Sequence, residues 1–235
     1  AGFVLGYNIF NRIDMMIVGL GFLVAAAYGV VWHPEKRRGI WESCGTYLAT
    51  AVLACLCLYI FSPAYYILHI QNHALQTAWL VNGIGLALLL AGGLVSRIWK
   101  NVSLERYNWI HKWTDNRKAW IGWSIVFALA FFYLYVVRSE WGNSSDFNKT
   151  AIIEYCWYTS VPLFLLMLVG IVILLAEKKK QADLYYVFLC TGMVCVAAYL
   201  INPSITADHI WAARRWVSVN FPVTVLLGCY AWQFL

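Results

Sequence analysis

Charged residues are scarce in this sequence. They make up 12% of its 235 residues, whereas hydrophobic residues make up 62%. A soluble domain carries about 25% charged and ~45–50% apolar residues. With so little polar material the chain cannot cover a water-exposed surface, which excludes a soluble globular domain, a disordered chain and a collagen-like chain.

The sequence also lacks the cysteine spacings of metal sites. Most of its seven cysteines lie in apolar runs, where a thiol behaves as a small hydrophobic group. No pair has the spacing of a zinc finger, and Cys55-Leu-Cys57 is a packing element in this reading. We therefore expect neither a metal ion nor a cofactor.

Long apolar runs dominate what is present, and aromatic residues reach 17%, as expected where amphipathic rings lie at a membrane interface. A helix needs ~20 mostly apolar residues to cross a bilayer. The runs do not alternate as barrel strands do. The sequence predicts an all-α fold, a polytopic transmembrane helical bundle of about seven spans that forms a single domain over 1–235. The candidate spans are 14–31, 44–61, 75–96, 119–137, 157–176, 184–201 and 218–233.

Basic residues concentrate in alternate loops. Three loops, 32–43, 97–118 and 177–183, hold most of the 17 Lys and Arg. By the positive-inside rule these loops are cytoplasmic, so the N-terminus lies outside and the C-terminus inside. The net charge of +6 is thus a topology signal, not a nucleic-acid footprint, and no nucleic-acid partner is expected. The chain begins with Ala and ends in apolar sequence, which suggests a piece of a longer protein.

Ionisable groups are nearly absent from the predicted spans, which argues against a retinal Schiff base in the last span or an ion path through the middle. Polar chemistry collects at the outer ends instead. One outer cluster is Arg12 and Asp14 at the entrance of the first span. These two side chains either bind groups on neighbouring loops or act as interfacial anchors.

The second outer cluster is the 202–216 segment, between the sixth and seventh spans. Asn202-Pro203 ends the sixth span, because Pro cannot continue a helix. Two adjacent arginines outside oppose the charge rule, and the planar guanidinium fork suits phosphate. We expect the segment either to hold a lipid phosphate or to form an internal salt bridge with Asp208 or Asp14. Its candidate binding residues are Asp208, His209, Trp211, Arg214 and Arg215.

A third outer element is the uncharged, aromatic loop 62–74. Tyr65 and His69 are candidates to line a sugar or lipid pocket. His69 and His73 have the i, i+4 spacing of a metal pair, but no nearby Cys or carboxylate completes such a site.

Two of these elements resemble a known enzyme class. Arg12-Ile-Asp14 resembles an R-[VI]-D element, and Asp208-x-x-Trp211-Ala-x-Arg214-Arg215 resembles a D-x-x-W-A-x-R-R element near the C-terminal end of the class. The class comprises membrane glycosyltransferases of the dolichyl-phosphate-mannose protein mannosyltransferase and aminoarabinose transferase type. By motif the resemblance covers about 20 residues, although the layout is similar over most of the chain.

The resemblance implies an enzyme that transfers a sugar from a polyprenyl-phosphate carrier to an acceptor on the extracytoplasmic face. It also implies a prokaryotic plasma (inner) membrane as the location, and membrane lipid as a contact. The catalytic Asp of the class lies in a first outer loop that has no counterpart here, so the catalytic residue is unknown and this chain corresponds to the C-terminal portion. Two alternatives stay open: a transporter or flippase of a polyprenyl-linked molecule, and a non-enzymatic seven-span protein.

Overall fold

The computed structural model describes residues 2–11, 15–71, 74–99, 117–141, 146–176, 182–201 and 219–234. Within these ranges the chain is helical and contains no strand. The first five helices are α1 (Gly2–Asn11), α2 (Met16–Trp32), α3 (Arg37–Phe61), α4 (Pro63–Gln71) and α5 (Ala74–Trp99).

The following helices include one with an internal π-helical stretch. It is α6, which runs from Arg117–Phe132 through the π-helix Tyr133–Val137 into Arg138–Trp141. After it come α7 (Asp146–Thr159), α8 (Val161–Ala176), α9 (Ala182–Ile201) and α10 (Phe221–Trp232).

The helices have the length and composition of an integral membrane protein. Three stretches, Arg37–Phe61, Leu75–Ile98 and Ile121–Glu140, are long and apolar enough to cross a bilayer, and α7 with α8 makes a fourth if the bent pair is one span. Their apolar side chains face outward as well as inward: no residue between 121 and 140 is buried. A helix that is apolar all round is stable only in an apolar environment or a large core. This exposure supports the membrane location predicted from composition.

The chain divides into two compact units. The N-terminal unit comprises residues 1–102 and 186–194, and the C-terminal unit comprises residues 103–185 and 195–235.

In the N-terminal unit, α2 and α5 run parallel and α3 runs antiparallel to both. Contacts between α2 and α5 advance together along the two helices, since Met16 meets Asn82, Leu23 meets Gly85 and Ala27 meets Gly92. Contacts between α2 and α3 run in opposite senses, from Gly19 with Tyr47 to Gly29 with Ile40. These directions are those that three consecutive spans require.

Arg37 holds together the end of this unit at which α2 and α5 end and α3 begins. This first residue of α3 donates from Nε to the carbonyl of Val30 (2.9 Å) and from Nη2 to the carbonyl of Ser96 (3.4 Å). Both acceptors lie in the last turn of a helix, where carbonyls have no partner within the helix and cations are favoured. One guanidinium therefore joins the ends of α2 and α5 to the start of α3.

The helix α1 and the helix α4 are additions to the predicted layout. A Cβ on Gly2 would collide with the carbonyl of Ser43, and a Cβ on Gly6 would collide with Thr50, so α1 lies against α3 and runs parallel to it. The loop predicted at 62–74 contains α4, which bears no buried residue and exposes Ile67 and Leu68.

In the C-terminal unit, α8 and α10 are in close contact. A Cβ on Gly170 would collide with the carbonyl of Leu227, and one on Gly228 would lie 2.7 Å from Leu163. Small residues at such positions let two membrane helices approach closely. Phe164 of α8 packs against Phe131 of α6 and Tyr155 of α7.

A sharp bend corrects the predicted span 157–176. The chain turns by 98° between α7 and α8, so that 157–159 belongs to the preceding helix. At the turn, Ser160 has a φ of 67°, in the left-handed region that side chains rarely adopt. The apolar run in the sequence is continuous, but the helix is interrupted at Ser160.

Candidate functional site

Most of the binding residues predicted from the sequence lie outside the described residues. This holds for both charged clusters, whose residues are Arg12, Asp14, Asp208, His209, Trp211, Arg214 and Arg215. His73, at i, i+4 spacing from His69, lies outside the described residues as well. The structure does describe the helix α9, which ends directly before the 202–216 segment.

The 202–216 segment follows the end of α9, and that end is held by an arginine. Arg138 donates from Nη1 to the carbonyl of Leu200 (3.3 Å) and from Nη2 to that of Ile201 (2.5 Å). These are terminal carbonyls of α9, which need a donor from outside the helix. Arg138 of α6 therefore fixes the point at which the chain leaves α9 toward Asn202.

Tyr65 and His69 are brought together on α4, one turn apart. Their ring centroids are 4.1 Å apart, and His69 Nδ1 lies 2.9 Å from the carbonyl oxygen of Tyr65. Because a carbonyl only accepts, Nδ1 of His69 is the donor in this hydrogen bond. Among the described residues no three His, Cys, Asp or Glu side chains are grouped as metal ligands.

A buried polar cluster occupies the interior of the C-terminal unit. The hydroxyls of Tyr155 and Thr224 are 2.6 Å apart, and Thr224 donates to the sulfur of Met167 at 3.3 Å. This contact joins α7, α8 and α10. On α7, Glu154 is only 6% exposed and accepts a hydrogen bond from Thr150 to Oε1 at 2.7 Å.

Asn220, immediately before α10, belongs to the same interior. Its side chain is fully buried, and neither amide atom has a hydrogen-bond partner among the described residues. It is one turn before Thr224, so both lie on the buried face of α10 that continues through Leu227 and Ala231. An unsatisfied buried amide costs about 1–3 kcal/mol.

A second buried asparagine shows the contrasting arrangement. Asn82 in the N-terminal unit accepts from the Tyr47 hydroxyl at 2.6 Å and donates to the carbonyls of Met16 and Ala78, both at 2.9 Å. Its amide joins α2, α3 and α5. Asn82 therefore has the bonding expected of a structural residue, whereas Asn220 does not.

Sequence reasoning missed Glu154 and Asn220. It placed Glu154 in an outer loop, because only the strongly apolar run after 156 met the criterion for a span. The helical spacing of Ala151, Ile152, Tyr155 and Cys156, which are all buried, was the available signal that this segment has an inner face. No comparable signal distinguishes Asn220 from an interfacial asparagine.

Comparison with family models, with curated proteins and with solved structures finds no match to this chain.

Proposed function

We propose that this chain is part of an integral-membrane glycosyltransferase that moves a sugar from a polyprenyl-phosphate carrier to an acceptor on the extracytoplasmic face. The observation that carries the proposal is the D-x-x-W-A-x-R-R pattern that ends at Arg214 and Arg215, two adjacent arginines in a loop where the charge rule disfavours them. Sugar transfer from a phosphate carrier leaves a negatively charged phosphate, and fixed guanidinium groups stabilise such developing charge.

The proposal includes a topology of seven spans with the N-terminus outside and the C-terminus inside. The parallel directions of α2 and α5 and the opposite direction of α3 support it. So does the contact of Arg138 with the end of α9, because this topology assigns both sites to the outer side. In that arrangement Arg37 and its basic neighbours are cytoplasmic.

The membrane in question is a prokaryotic plasma membrane, and lipid covers the exposed apolar side chains of α3, α5 and α6. Examples are Phe61 at 77%, Leu94 at 62% and Leu129 at 61% exposure. Exposed apolar surface on this scale requires an apolar solvent.

In the test of function, Arg214 and Arg215 are both replaced by alanine in the intact protein. We expect transfer from labelled polyprenyl-phosphate hexose in isolated membranes to fall at least ~100-fold, because charge-assisted bonds to the leaving phosphate are lost. Arg38→Ala is the matched control. Its side chain is 93% exposed and pairs with Glu42 on the opposite, basic side, so it should leave transfer unchanged.

Transfer by the double variant at the wild-type rate would remove the role assigned to the arginine pair. Movement of intact carrier across the membrane without any transfer would instead favour the transporter alternative.

A further inference from the structure

We infer that the side-chain amide of Asn220 recognises the carrier-bound sugar by hydrogen bonds to its hydroxyl groups. This inference rests on the proposed function and adds to it a recognition residue outside the D-x-x-W-A-x-R-R pattern. It starts from the contrast between two buried asparagines, of which one is fully bonded and the other is not.

The position of Asn220 connects it to the outer segment. It is four residues after Trp216, the last residue of the 202–216 segment, and directly before Phe221. The Phe221 ring packs against Tyr155 at 5.3 Å and Tyr158 at 6.0 Å, in the last turns of α7. Asn220 is therefore the neighbour in sequence of a ring that packs on the last turns of α7, the helix that ends at the bend at Ser160.

Among the described residues, no polar side chain bonds the amide of Asn220. One turn along the same face, the Thr224 hydroxyl is already engaged with Tyr155 and Met167. Most buried polar groups have a partner, and one that has none among the described residues calls for an explanation such as a bound ligand. The amide of Asn220 is thus available for a ligand.

The chemistry of the amide selects the class of ligand. An asparagine offers N–H donors and a carbonyl acceptor at once, and a hydroxyl group also both donates and accepts. A phosphate oxygen only accepts, and it suits the arginines of the outer segment better. Asn220 therefore matches the hydroxyl groups of a hexose, whereas the arginine pair matches the phosphate that carries it.

A recognition residue and a structural residue respond oppositely to removal of the amide. Asn220→Leu removes an unsatisfied buried group, so the melting temperature of the ligand-free protein should stay equal to the wild-type value or rise. Asn82→Leu removes three hydrogen bonds and should lower the melting temperature by roughly 5 °C or more. We expect the same melting temperature for Asn220→Ala, which tests the amide without the risk that the larger leucine side chain does not fit.

Binding is measured with two probes of equal chain length, polyprenyl phosphate alone and polyprenyl phosphate bearing glucose, mannose or galactose. The purified intact protein should bind one of the sugar-bearing probes at least ~10-fold more tightly than the bare carrier. Asn220→Leu should bind both at the affinity of the bare carrier, and Asn82→Leu should keep the discrimination.

The outcomes separate the inference from the function on which it rests. Retained discrimination in both Asn220 variants would overturn the inference and leave the glycosyltransferase proposal standing. A loss of stability in Asn220→Ala comparable to that of Asn82→Leu would also overturn it, because Asn220 would then be structural. A wild-type protein that binds neither probe would contradict the proposed function itself, and the inference with it.

Discussion

At the residue scale, polar side chains inside this protein join helices to one another. The Tyr47 hydroxyl reaches the Asn82 carbonyl oxygen past Gly19, where a Cβ would collide with that hydroxyl. Asn82 in turn bonds the carbonyl of Met16. A glycine is required at position 19 because the tyrosine side chain occupies the space beside the α2 backbone.

Removing the hydroxyl of Tyr47 should destabilise the protein. In Tyr47→Phe the Oδ1 atom of Asn82 loses its donor while it remains buried, so we expect the free energy of unfolding to fall by about 1–3 kcal/mol. Thermal denaturation in detergent measures the effect as a fall of several degrees. Tyr59→Phe is the control, since Tyr59 is on the same helix but is 57% exposed, and it should change little. Equal melting temperatures for the two variants would refute a stabilising role of the buried bond.

At this scale the sequence indicates which residues are suited to packing or binding, but not which residues they contact. Gly85 and Gly92 are packing residues because both lie against α2, whereas a Cβ on Gly83 would have no neighbour within 4 Å. The contact of Tyr65 with His69 follows from their i, i+4 spacing, but its use in a pocket stays a prediction. Asn220 escaped notice because burial without a partner is a tertiary property that no local pattern encodes.

At the element scale, the break between α7 and α8 is the feature that hydropathy could not predict. Hydropathy measures composition, and the apolar run continues through the turn at Ser160. Ser160 ends α7, since its N–H donates to the Cys156 carbonyl, and it begins α8, since its Oγ accepts from Leu163 N at 3.4 Å. Pro162 is tolerated because it lies in the first turn of α8.

The left-handed backbone of Ser160 predicts an unusual response to glycine. Ser160→Gly should leave the free energy of unfolding unchanged or raise it by up to ~1 kcal/mol, because glycine adopts a φ of 67° without strain. Ser139→Gly, the same substitution in the last turn of α6, should lower it by roughly 0.5 kcal/mol, because glycine is a poorer helix former than serine. Chemical denaturation of both variants in detergent measures the difference, and a loss in Ser160→Gly equal to that in Ser139→Gly would show that the bend is absent in the protein.

Helices were easier to predict than their ends. Over their described residues the seven apolar runs are helical, but the run 157–176 is divided between α7 and α8, and only three stretches reach spanning length as single helices. α1 and α4 are too short to register as spans, with 10 and 9 residues, and their helical state depends on tertiary contacts such as that of Gly6 with Thr50 and of Tyr66 with Tyr59.

At the scale of the whole molecule, the scarcity of charge gives the few charged side chains specific positions. Arg37 and Arg138 each bind the terminal carbonyls of helices, so part of the basic content caps helix ends. The adjacent pair Arg214 and Arg215 is assigned by our proposal to the outer face, against the charge rule. The alternation of basic loops along the sequence predicts this sidedness.

The side and occupancy of the 202–216 segment test the account most directly. A single cysteine is introduced as Ser204→Cys, and intact cells are treated with a membrane-impermeant maleimide, with the unsubstituted protein as background. We expect rapid labelling from outside, and slower labelling in membranes supplied with polyprenyl-phosphate hexose, because the bound carrier covers the segment. Labelling that requires access from the cytoplasmic side, or a labelling rate that the carrier does not change, would contradict an outer carrier-binding site.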